Sequence, residues 1–124
     1  MIYLIDANVI IRFLVGDHKE HLEISSIFFE EIERGEREVE ILDSVLMEVF
    51  FVLTKFYKIA KREVIDDLKK IIALRGVVGD KILLIEVLNI IESKNIDFVD
   101  ALISAKSKLY GYRKLRFDPD IEKC

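Results

Sequence analysis

MIYLIDANVIIRFLVG, residues 1–16, sets a short apolar run, an acid and a helical stretch in direct succession. Residues 2–5 (IYLI) read as a strand buried on both faces, the kind that parallel sheets use. NVIIRFLVG reads as a turn or two of helix stopping near Gly16. Asp6 stands at the junction between them. Outward from this opening, the order strand then helix recurs. Residues 18–34 carry helical spacing in Leu22, Ile24, Ile27, Phe28 and Ile32, with Gly35 as a stop. VEIL at 39–42 is the second strand, and Asp43 or Ser44 caps a helix over roughly 45–58. A further helix covers about 62–74, before the break RGVVGD, and a third strand falls at 76–79 or 82–85. EVLNIIESK is helical up to Asn95, Asp97 begins a helix to about Tyr110, and KLRF at 114–117 is a last short strand. This alternation predicts an α/β fold with a parallel sheet covered on both faces. Ligands of such sheets sit beyond the carboxyl ends of the strands, and Asp6 and Asp118 each follow a predicted strand directly.

The chain of 124 residues is long enough for one sizeable core, so a single domain over 1–124 is expected. A hydrophobic content of 52% with only one Pro excludes a disordered chain. The net charge of −4 argues against general polyanion binding, so nucleic acid would have to meet a local basic patch or bound cations. Cys124 is the sole cysteine, which rules out an internal disulfide and suits a reducing compartment. MIYLIDAN lacks the regions of a signal peptide, and no run of about 18 uncharged apolar residues can span a bilayer. The expectation is a soluble, cytoplasmic protein with no membrane partner.

Acids occupy unusual places. Glu48 lies inside VLMEVFFVL (45–53), where an ionised group is costly to bury without a positive partner. Lys55 is seven residues on, about 10 Å along a helix, too far to pair with it and better suited to an arriving phosphate. Asp6 can be a helix cap, but Asn8 could cap the same turn and leave Asp6 free. Asp97 and Asp100 stand at i and i+3 at a helix start. There Asp97 suits the cap position, while Asp100 lies beside the small-residue stripe Ala101 and Ala105 and points inward. In FDPD, Asp120 reads as part of an exposed turn and Asp118 as a strand-end acid. Carboxylates that converge with no cation would repel one another. Hard divalent ions favour oxygen ligands, and Mg²⁺ joins carboxylates to phosphates. The suggested chemistry is hydrolysis of a phosphate ester or nucleic-acid backbone by metal and water. His18 and His21, the only histidines, fall on a polar helix face and read as solvated. No phosphate-binding glycine loop or nucleophile elbow occurs.

With these residues in place, the chain resembles the PIN-domain family, specifically its VapC-like toxin ribonucleases, from residue 1 to about 122. The resemblance rests on YLIDANVII, VLMEVFFVL, DFVDALISAK and RFDPD, in that order. It implies a three-layer α/β/α sandwich around a parallel sheet, and Mg²⁺- or Mn²⁺-dependent endoribonuclease activity on structured RNA. Asp6, Glu48, Asp100 and Asp118 match the family's acidic, metal-binding catalytic residues. Asn8 matches the polar residue that supports the first Asp, and Asp97 an accessory acid. The resemblance also implies a homodimer held inactive by a small antitoxin protein. One departure stands out: where the family often has Ser or Thr before the closing Phe-Asp, this chain has Arg116.

Cations suited to an RNA substrate are Arg12, Lys55 and Arg116, whereas Lys58 and Lys114 read as solvated. Phe28, Phe29, Phe50, Phe51, Phe56 and Tyr57 exceed what one side of two helices can hide, which suggests a self-association or antitoxin surface. A phosphatase with an aspartyl nucleophile would want D-x-D after the first strand, and DAN does not supply it. A phosphorylation-receiver domain would want adjacent acids there. The remaining rival is a PIN-like module that binds RNA or a protein without cleavage, its site blocked by Arg116.

Overall fold

The computed structural model describes residues 1–117 of the chain. The arrangement is α/β/α, with a parallel three-stranded central sheet flanked by helices. Strand β1 (Ile2–Leu4) leads into α1 (Ala7–Val15) and α2 (Lys19–Arg34). Strand β2 (Glu38–Glu40) leads into α3 (Asp43–Phe51), a π-helical turn over Val52–Phe56 and α4 (Lys61–Ile72). Strand β3 (Val77–Val78) precedes α5 (Lys81–Ser93) and α6 (Phe98–Tyr110). The chain forms two compact units, Met1–Lys81 and the remainder from Ile82.

In the first unit the strand order is β1-β2-β3, all parallel, with Tyr3 opposite Val39 and Val39 opposite Val77. The ladder continues through Ile5 N–H to Glu40 C=O at 3.2 Å and Val39 N–H to Gly76 C=O at 2.8 Å. Helix α1 packs on both α2 and α3. Ile10, Ile32, Leu46, Leu53, Ile65, Leu68 and Ile72 are sealed from solvent, which supplies the apolar burial a unit of this size needs. Gly16 and Gly35 end α1 and α2 in the left-handed region, where a Cβ would be strained. In the second unit, Leu88, Ile91, Ala101 and Ala105 are buried.

Two expectations change and one open alternative is settled. IYLI is not buried on both faces: Ile2 and Leu4 are 56% and 66% exposed, because β1 is the edge strand with β2 as its only neighbour among the described residues. KLRF at 114–117 forms no strand, and its Leu115 and Phe117 side chains are fully exposed. The third strand settles on Val77–Val78, since 82–85 belongs to α5. Among the described residues, no helix is long and apolar enough to cross a membrane.

Candidate functional site

Parallel strands send all their carboxyl ends to one edge, so the residues following β1 and β2 share that edge of the first unit. Asp6 is there as the N-cap of α1, but its side chain makes no capping hydrogen bond. Its exposed carboxylate is therefore not consumed by the helix. Asn8, two residues further, is exposed and does not cap either. Beside Asp6 lies a largely apolar cleft of about 320 Å³, between β1, β2 and α2, floored by Ile5, Ile32 and Val39. Its wall holds Arg37, whose guanidinium lies 4.9 Å from the Tyr3 ring centre and 5.1 Å from that of Phe28. The same guanidinium pairs with Glu31 at 3.2 Å. This cationic stack joins residues from β1, α2 and the loop before β2, so no sequence spacing could have shown it.

Glu48 corrects a premise of the sequence reading: it is exposed, not buried. The buried positions of α3 are Leu46 and Val49. At 100° per residue Glu48 falls about 200° from Leu46, on the opposite side of the helix. The burial problem disappears, and the carboxylate makes no ion pair among the described residues. Asp43, in the first turn of α3, is a second acid at the end of a strand–helix connection, and there it complements the helix dipole.

Of the expected cations in this unit, Arg12 is engaged. Its Nη1 pairs with Asp17 at 3.2 Å, and the Tyr57 hydroxyl donates to the other Asp17 oxygen at 3.1 Å. That hydrogen bond holds the Tyr57 phenol above its ordinary pKa, with weaker help from desolvation. Lys55, on the π-helical turn, is exposed and makes no ion pair among the described residues.

In the second unit, Asp97 is the N-cap of α6, and its Oδ1 accepts from the Asp100 backbone N–H at 2.9 Å. Asp100 points away from the cap. Its Oδ1 accepts from Arg116 Nη2 at 2.8 Å, with the two side chains 29% and 15% exposed. The other terminal nitrogen of Arg116, Nη1, is buried with no hydrogen-bond partner among the described residues. Asp118 lies outside the described residues.

The oxygen donors are of the type a divalent ion takes. Their arrangement is not: Asp97 is spent on a backbone N–H, Asp100 already has a guanidinium, and among the described residues no three His, Cys, Asp or Glu are grouped to hold a metal. As they stand, the described residues do not fit a resident Mg²⁺ or Mn²⁺.

Compared with known families, the chain matches the family model described as PIN domain over residues 3–124. Comparison with curated proteins and with solved structures found no match.

Proposed function

This chain belongs to the PIN-domain family, and we propose that it acts as a binding module of that family, engaging a protein partner without cleaving RNA. The observation that carries this reading is the ion pair that neutralises Asp100 within the protein, while among the described residues no three acids are grouped for a metal. A protein partner is favoured over RNA by the state of the cations. Arg12 and Arg116 are both committed to carboxylates, which leaves Lys55 alone of the three expected phosphate contacts in a chain of net charge −4.

The first unit also offers a groove of about 490 Å³, floored by Phe13, Phe29, Ile71 and Leu74 and rimmed by three acids, Glu30, Glu33 and Asp67, against one base, Lys70. An apolar floor with a net acidic rim suits an amphipathic segment with basic flanks. The small antitoxin implied by the toxin resemblance is a partner of the right kind. A fluorescent Leu/Arg amphipathic peptide should bind the wild type. The double substitution Glu30→Lys, Glu33→Lys should weaken it about tenfold or more, through like-charge repulsion at the rim. Equal affinity for both proteins in fluorescence anisotropy would remove the groove from the proposal. The homodimer belongs to the same reading, since Phe51 and Phe56 are 50% and 76% exposed and a second copy would cover them. Sedimentation equilibrium giving a monomer mass at high concentration would count against it.

A second reading, the Mg²⁺- or Mn²⁺-dependent endoribonuclease toxin, is favoured by one feature. Asp6 and Glu48 hold exposed carboxylates that, among the described residues, no helix cap or ion pair consumes. In that reading Asp6, Glu48, Asp100 and Asp118 would hold the ion, which would supply an activated water.

A further inference from the structure

We propose that the cleft between α5 and α6, in the second unit, binds a small organic carboxylate whose body carries hydroxyl or amide groups. The cleft measures about 590 Å³. Glu86, Asn89 and Ile90 line it from α5, Ser104 and Lys108 from α6, and Lys94 from just past the end of α5. None of these residues belongs to the apolar groove or to the strand-end acids, so the proposal stands apart from the protein-binding reading.

Ser104 singles the cleft out. It is 4% exposed, and its Oγ has no hydrogen-bond partner among the described residues. A helical hydroxyl ordinarily turns back onto a carbonyl of the preceding turn. Ser25, which is as deeply buried, donates in that way to His21 C=O at 2.8 Å, and Thr54 donates to Phe50 C=O at 2.8 Å. Ser104 forgoes that bond on the lining of a polar cleft. A buried hydroxyl without a partner costs stability, so a ligand group that meets it recovers what the protein alone does not.

The remaining lining selects the ligand. Lys94 and Lys108 face Glu86 and Glu92, a balance that favours neither a divalent cation nor a doubly charged phosphate. Lys108 Nζ donates to Glu86 at 2.8 Å and makes one end of the cleft a neutral pair. Lys94 is exposed and makes no ion pair among the described residues. Its backbone N–H still bonds to Ile90 C=O at 2.9 Å, so it continues the turn of α5, about 12 Å along the axis from Glu86. One uncommitted positive charge therefore stands beside the Asn89 amide and the Ser104 hydroxyl, each of which both donates and accepts. A carboxylate answers Lys94, and neutral polar groups on the same molecule answer the other two.

The test uses sodium gluconate, a singly charged carboxylate with a hydroxylated chain, titrated into isotope-labelled full-length protein at constant ionic strength and followed by NMR. Sodium phosphate is the parallel arm. Saturable shifts of the Asn89 side-chain amide and the Ser104 backbone N–H are expected with gluconate and not with phosphate. Ser104→Ala and Lys94→Glu should each weaken the binding about fivefold or more. Without ligand, Ser104→Ala should melt at the wild-type temperature or above it, because the unpartnered hydroxyl is gone. A clearly lower melting temperature would make Ser104 a packing residue and overturn the proposal. So would gluconate shifts that are absent, that phosphate matches, or that survive unchanged in Lys94→Glu, an exposed substitution that leaves the core alone.

Discussion

Gly76→Ala should cost about 3 kcal/mol or more of unfolding free energy, a large share of what a domain of this size possesses. Gly76 precedes β3, where the chain passes hard against two backbones. A Cβ there would lie 2.2 Å from the Arg37 carbonyl oxygen and 2.7 Å from that of Ile32. Neither obstacle is a flexible side-chain tip. The same oxygen of Ile32 accepts from Gly76 N–H at 2.8 Å, and Gly76 C=O accepts from Val39 N–H at 2.8 Å. Moving the chain to relieve the clash therefore breaks the entry of β3 into the sheet. Urea unfolding reads the effect directly, and a loss below about 1 kcal/mol would show that the approach at Gly76 is looser than described.

Leu46→Ala is expected to cost about 2–5 kcal/mol. Leu46 is 0% exposed on α3, the helix that packs on α1 and presents Glu48 from its opposite side. Removing the isobutyl group forfeits its transfer free energy and leaves a cavity that close-packed neighbours only partly fill. Phe56→Ala is the control, because that ring is 76% exposed and its loss should change stability by about 0.5 kcal/mol or less in the monomer. Equal effects from the two substitutions in thermal or urea unfolding would contradict the assignment of the α3 core face.

Much of this architecture was legible in the chain because helices and turns are encoded locally. The spacing of Leu22, Ile27 and Ile32 and the stop at Gly35 placed α2 to within a residue or two, and Asp97 was recognisable as a cap from its position alone. The membership of the PIN-domain family was legible too, since its motifs survive in order. What failed depended on neighbours distant in sequence. IYLI looks doubly buried, yet an edge position exposes it, and strand order is not written in a run of four residues. Glu48 is different, because its exposure follows from counting angles against Leu46 and Val49. The apolar residues all around it masked a helix that shows apolar side chains to water, Phe51 among them. Arg116 stood out as a departure, but its bond to Asp100 depends on how the chain returns after Gly111. The Arg37 stack on Tyr3 and Phe28 left no sequence trace at all.

The most direct test of the central claim, a PIN-family module that binds without cleaving, is incubation of purified wild-type protein with structured RNA in Mg²⁺ or Mn²⁺. Asp6→Asn serves as the parallel control, and products are resolved on a denaturing gel. The prediction is no cleavage by the wild type above the level seen with Asp6→Asn. Metal-dependent fragments that appear with the wild type and vanish with Asp6→Asn would contradict it and establish the ribonuclease.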